Sequence, residues 1–312
     1  MANYRFIQLD VFTTTPLCGN PLAVFPEADG LTDEKMSKIA REMNLSETVF
    51  VLPPREPTTV RRLRIFTPVR EIPFAGHPII GTWNALAREG VAPAPENGNG
   101  WTRINHEVGI GVLPVDIEFK QGQPTRVLMT QGKFEILDEV DNAHEQAEIA
   151  RALGRAREDL DESLPIQIIS TGLPALAVPV RSLKDLRRCH VNAGLLAELY
   201  GRRGATGCYA FTRETLEGGL ARAHARFFAP ADNIPEDPAT GSAGGALGAY
   251  LVHHCVTGFE ATDGKFLFDI EQGDFMDRPS RINIEIKGTG GAVEEVRVGG
   301  PSVVVMRGEL IL

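Results

Sequence analysis

Glu47, His77 and Asp237 are the side chains of this chain whose types and settings suit proton transfer. His77 follows Gly76 at what reads as a helix start, where the positive end of the helix dipole favours a neutral imidazole. Asp237 stands in Glu236-Asp237-Pro238-Ala239-Thr240-Gly241-Ser242, just ahead of a second helix start. An acid in that position is more often a cap than a catalyst. Glu47 precedes the apolar run Thr48-Val49-Phe50-Val51, a strand mouth where desolvation would suit a carboxyl to take and return a proton. On position alone it reads as an ordinary solvated strand-end glutamate. Gly76 and Gly241, with Ser242 after the second, would let a ligand approach backbone N–H groups that a helix start leaves without internal partners. Either glycine alone reads as a tight turn, but a matched pair converging in one cleft would hold an anion, most simply a carboxylate.

A duplication positions these residues. Phe66-Thr67-Pro68, Ile72-Pro73 and Gly76-His77 lead into the apolar block Ile79 to Ala87; Phe228-Ala229-Pro230, Ile234-Pro235 and Gly241-Ser242 lead into Ala243 to Val252. Gly19-Asn20-Pro21-Leu22-Ala23-Val24 has a counterpart in Gly172-Leu173-Pro174-Ala175-Leu176-Ala177-Val178. Two domains of one design are expected, facing each other about a pseudo-twofold axis with a cleft at their junction. The two helices are apolar all round and should be buried, each with a rolled, mostly antiparallel sheet around it. Gly244, Gly245 and Gly248 weaken their helix by about 1 kcal/mol each unless the sheet needs the close approach. Glu47 and the acidic pair Glu236-Asp237 break the symmetry, since their counterparts read Gly207 and Phe74-Ala75.

Strands are expected at Arg5 to Phe12, Leu22 to Phe25, Thr48 to Leu52, Leu63 to Phe66, Gly109 to Phe119, Ile166 to Ser170 and Ala225 to Phe228. Helices should follow Thr32 to near Met43 and run over Asn142 to Leu153 and Asn192 to Tyr200, with a loop at Ala92 to Gly100. The C-terminus reads as a meander of Arg281 to Lys287, Ala292 to Val298 and Ser302 to Met306. The domains are expected at 1–118 and 119–298, crossing near Phe119 to Pro124, with 299–312 a terminal strand free to return to the first.

Composition narrows the function classes. A net charge of −9 with no basic run argues against nucleic acid or an anionic membrane as partner. No stretch approaches the roughly 20 apolar residues of a membrane span, and the N-terminus lacks a signal-peptide run, so a cytoplasmic location is expected. The four cysteines, Cys18, Cys189, Cys208 and Cys255, have no paired spacing for disulfides or zinc. His253-His254-Cys255 reads as a helix-end cluster, and no lysine in the repeated blocks offers a Schiff base.

Leu45-Ser46-Glu47-Thr48-Val49-Phe50, Arg64-Ile65-Phe66-Thr67-Pro68 with Pro73-Phe74-Ala75-Gly76-His77-Pro78, and Glu236 to Ala243 resemble the three signature segments of the PhzF-like family. These are the phenazine-biosynthesis isomerases, within the diaminopimelate-epimerase fold. Gly19 to Val24, Ser170 to Pro174, and Gln272-Gly273 with Arg278-Pro279-Ser280 extend the likeness over nearly the whole chain. The resemblance implies an α+β fold of two pseudo-symmetric domains with the site between them. It implies an isomerase of a small cyclic or amino-acid-like carboxylate, of the trans-2,3-dihydro-3-hydroxyanthranilate isomerase kind, working without metal or organic cofactor, and a homodimer. By the same likeness Glu47 moves a proton between ring carbons, while His77 and Asp237 orient the substrate. Gly76, Gly241 and Ser242 bind its carboxylate, and Ser46 is a further substrate-binding residue. Ile79 departs from the threonine common after Gly-His-Pro. The rivals are a two-cysteine racemase or epimerase of the same fold, for which neither helix start supplies a thiol, and a non-catalytic carboxylate binder.

Overall fold

Thr32 accepts a hydrogen bond from Lys35 N–H and starts the first surface helix; Asn44, left-handed at φ 51°, ends it and turns the chain into the strand that begins at Glu47. The computed structural model describes residues 3–256, 258 and 261–312. The chain forms two units, Met1–Met129 with Gly299–Leu312, and Thr130–Val298.

In chain order the first unit contains β1 (Asn3–Val11), β2 (Asn20–Phe25), α1 (Asp33–Met43), β3 (Glu47–Leu52), β4 (Arg62–Phe66), β5 (Glu71–Ile72), α2 (Gly76–Arg88), β6 (Gly100–Val108), β7 (Gly111–Lys120) and β8 (Gln123–Thr130, its last residue already in the second unit). The second holds β9 (Glu135–Glu139), α3 (Ala143–Ala152), β10 (Gln167–Ser170), β11 (Ala175–Pro179), α4 (Leu183–Arg187), α5 (Ala193–Arg202), β12 (Cys208–Thr212) and β13 (Ala221–Ala229). It continues with β14 (Ile234–Asp237), α6 (Gly241–His253), β15 (Lys265–Gln272), β16 (Ser280–Thr289) and β17 (Ala292–Gly300); β18 (Ser302–Ile311) belongs to the first unit.

The first unit pairs its strands in the order β18-β1-β2-β3-β4-β6-β7, antiparallel except at β2/β3 and β4/β6. The second runs β9-β10-β11-β12-β13-β15-β16, antiparallel except at β11/β12 and β13/β15. The succession of senses is identical. Each sheet rolls around one helix: α2 touches β18, β1, β2, β3 and β7, and α6 touches β10, β11, β15 and β16. The fold is thus α+β, as expected. Every residue of α2 from His77 to Ala87 is buried, and a Cβ on Gly248 of α6 would stand 2.6 Å from Ile284. Outer helices cover the other sheet face, with Met36 and Ile39 of α1 over Phe25, Phe50 and Phe66, and Leu196 and Leu199 of α5 over Leu176 and Phe228. Among the described residues no helix is long and apolar enough to cross a membrane.

Two expectations need correction. Phe119 to Pro124 is not a crossover but the β7/β8 hairpin, with Phe119 opposite Pro124 and Lys120 opposite Gln123; the chain leaves the first unit after Met129. The repeat is also aligned differently from the Ile-Pro landmarks. Phe66 pairs with Glu71 and Ile65 with Ile72, while Phe227, the counterpart of Ile65, pairs with Asp237, which sets Asp237 against Ile72 and Glu236 against Glu71. Pro73 therefore matches Pro238, and the extra residues of the second copy lie in the short 3-10 turn beginning at Pro230. Glu236 has a counterpart after all, Glu71, and only Asp237, matching Ile72, is unique.

Candidate active site

Two polar constellations form, one in each unit. In the first, β2 and β3 run parallel with Leu22 beside Glu47. Alternation along β3 sends Phe50 and Leu52 into the cluster under α1 and Glu47 to the opposite face, toward α2. There Glu47 Oε2 lies 3.5 Å from Nε2 of His77, the second residue of α2, and the two side chains are 15% and 7% exposed. Burial pushes the His77 ring down to about 3, so it is neutral at pH 7. The expected charge state holds, but desolvation is its cause. Ser46 donates to Oδ1 of the fully buried Asn20 at 3.2 Å, tying the turn before Glu47 to β2.

In the second unit Asp237 does not cap α6: no side chain does. Its Oδ2 accepts a 2.5 Å hydrogen bond from the Thr240 hydroxyl, and Thr240 is followed directly by Gly241 and Ser242. Gln272, fully buried, locks this segment. Its amide donates to Asp237 O at 2.7 Å and Thr240 Oγ1 at 3.1 Å, while its Oε1 accepts from Thr240 N at 3.1 Å and the Tyr209 hydroxyl at 2.8 Å. Gln131 Nε2 donates to Gly241 O at 3.0 Å, and the Thr171 hydroxyl donates to Gln131 Oε1 at 2.6 Å. Burial, reinforced by Asp237, raises the Tyr209 phenol. Sequence reasoning missed the roles of Gln272, Thr240 and Tyr209, because a buried glutamine is recognised by its partners rather than its neighbours in sequence.

The helix starts at Gly76 and Gly241 share a property. Ala75 and Thr240 make no side-chain cap, whereas α1, α3, α4 and α5 are capped by Thr32, Asn142, Ser182 and Asn192. The first-turn donors of the two buried helices are therefore left for another acceptor. A clasp precedes each of them: Arg64 grips Glu71 through two bonds of 2.8 and 2.6 Å, and Arg226 grips Glu236 through two of 2.8 and 2.7 Å. Each guanidinium also lies over the phenylalanine two residues on, at 5.2 and 5.0 Å. The repeated Arg-x-Phe-x-Pro could have signalled this pair.

Against that symmetry, Glu47 has no partner acid. Thr48 pairs with Phe66 and Cys208 with Phe228, which makes Gly207 the equivalent of Glu47. A Cβ at 207 would stand 2.4 Å from the Phe227 ring, so the space is taken. Among the described residues no group of three or more His, Cys, Asp or Glu is arranged to hold a metal ion.

Comparison with known proteins places this architecture. The profile of the phenazine biosynthesis-like (PhzC-PhzF) family matches residues 9–308. An uncharacterized isomerase of Clostridium acetobutylicum is 38% identical over 99% of this chain and 98% of its own length. The trans-2,3-dihydro-3-hydroxyanthranilate isomerase of Pseudomonas aeruginosa is 33% identical over 99% of this chain and 100% of its own. Among solved structures, a PhzF-family phenazine biosynthesis protein of Bacillus anthracis matches with a TM-score of 0.85 at 28% identity, over 100% of both chains.

Proposed function

Because the chain belongs to the phenazine biosynthesis-like family and is an isomerase, we propose that it rearranges a small cyclic or amino-acid-like carboxylate by moving one proton, with Glu47 as the acid/base and no cofactor. The observation that carries this reading is Glu47 Oε2 at 3.5 Å from a His77 ring that burial keeps neutral. An imidazolium there would pin Glu47 in an ion pair. A neutral ring does not hold the carboxyl in its ionised form, as cycling between two protonation states requires. In this reading Glu47 takes a proton from one carbon, the electron pair shifts through the conjugated system, and the same carboxyl returns the proton to another carbon. His77 and Asp237 orient the substrate through hydrogen bonds, Gly76, Gly241 and Ser242 supply backbone donors for its carboxylate, and Ser46 contacts it beside Glu47. The uncapped helix starts support the carboxylate assignment. A two-thiol mechanism has little support, since neither buried-helix start carries a cysteine and burial raises the Cys189 and Cys208 thiols.

The test uses trans-2,3-dihydro-3-hydroxyanthranilate and related carboxylates in heavy water. Wild type should wash deuterium into the substrate, whereas a mere binder would not. Glu47→Gln should abolish exchange while carboxylate-ligand affinity stays within a few-fold, because it removes the proton carrier and keeps the shape. Normal turnover by that variant sinks the assignment. Insensitivity to iodoacetamide separates it from a two-thiol racemase.

A further inference from the structure

At the opposite end of β12 from Gly207, the second unit holds a cavity of about 380 Å³ whose lining includes Asp161, Arg181, Arg213, Glu214 and Arg222. That volume lies within the usual range of small-molecule sites, about 300–1,000 Å³. Its charge is unusual for a chain of net charge −9: three guanidiniums face two carboxylates. Both carboxylates are already engaged. Asp161 accepts from Arg213 at 2.9 Å and from Ser163 N and Oγ at 3.0 and 2.6 Å, and Glu214 accepts from Leu183 N at 2.7 Å. Arg222 is held by carbonyls instead, those of Gly219, Ala221 and Gly258 at 2.6, 2.9 and 3.2 Å. Neutral carbonyls fix a guanidinium in place without cancelling its charge. Arg181 is exposed, and its guanidinium has no ion pair or hydrogen bond among the described residues. Ala221 and Val256 give the cavity an apolar surface.

We infer that this cavity is a second binding site, for a small polyanion carrying phosphate or several carboxylates, held by Arg181 and Arg222 over the apolar surface. Arg222 keeps the two N–H groups of Nη2 for such an anion, and Arg181 keeps its whole fork for bidentate contact. The site is independent of the isomerase reading, because its probes need no turnover.

Isothermal titration with inorganic pyrophosphate and with citrate, at constant ionic strength, tests it on the full chain. Saturable binding of one equivalent is expected for at least one probe, and which probe binds tells phosphate from carboxylate recognition. Arg181→Ala should weaken it about tenfold and Arg181→Glu more, as loss of a charge-assisted hydrogen bond predicts. Arg41→Glu, a charge reversal on exposed α1, should leave it unchanged. Arg181 contacts nothing that folding requires, so the unliganded variants should melt with the wild type, and the alanine variant serves should the glutamate one not. No saturable binding of either probe at millimolar concentration overturns the inference. So does unchanged affinity in Arg181→Ala, or an equal loss in Arg41→Glu, which would mark diffuse charge.

Discussion

At the scale of single residues, the buried amide of Gln272 bridges more of the candidate site than any charged group does. Gln272→Leu would strand the Tyr209 hydroxyl, the Thr240 N–H and the Asp237 carbonyl, and we expect about 2–4 kcal/mol of lost stability from these buried unpaired groups. Gln272→Glu keeps the acceptor but loses both donors and sets a buried carboxyl against the Asp237 carbonyl, so it should cost at least as much; urea titration of both variants checks this. Histidine burial sets the response to acid. His77 titrates near 3 and His106 near 4 in the folded chain, against an ordinary value of 6.5. Because these folded values are depressed, the unfolded chain takes up protons first. Stability should be full above about pH 6.5 and fall progressively as pH drops toward 4, by a few kcal/mol in all. A urea midpoint that stays flat between pH 7 and 5 would contradict the neutral His77 on which the proposed mechanism relies. His77 drew notice from its helix start and Glu47 from the family resemblance rather than its position, and their proximity was legible from neither. It depends on the parallel β2/β3 pairing and on which face of β3 turns toward α2.

At the scale of elements, the two buried helices could be read directly, since α2 and α6 carry almost no polar side chain between Ile79 and Ala87 or Ala243 and Val252. Thr32, Asn142 and Asn192 likewise mark real helix starts. The hairpin partner β6 escaped notice because Thr102 and His106 share its inward face with Ile104 and Val108 and break the apolar alternation there, and its stability comes from pairing with β7. Ile-Pro dipeptides misaligned the second half of the repeat, since a dipeptide carries no register and the β-ladder does. Glycines make the element-level prediction. Gly207→Ala would drive a methyl into the Phe227 ring and should cost about 1–3 kcal/mol. Gly201→Ala, in α5 with nothing within 4 Å of the added carbon, should stabilise by about 0.5–1 kcal/mol. Thermal unfolding of the two variants should move in opposite directions.

At the scale of the whole molecule, the sequence allowed 299–312 to return to the first unit as a strand but not to say which strand it would meet. β18 pairs with β1 from Asn3 opposite Ile311 to Val11 opposite Ser302, and no local pattern announces a partner so distant in sequence. The second unit is one continuous segment, whereas the first is assembled from both ends of the chain. Loop closure over such a separation is slow and entropically costly. A fragment of residues 130–298 should therefore melt cooperatively by circular dichroism, and residues 1–129 should not until 299–312 are joined to them. The ring of Phe227 also bears on how two copies of one ancestor can diverge. A carboxyl at position 207 would collide with it, while shrinking that ring first would open a void beside Tyr209. Neither single step is neutral, so a carboxyl at 207 demands both exchanges together, and this epistasis keeps the two halves unlike at that position.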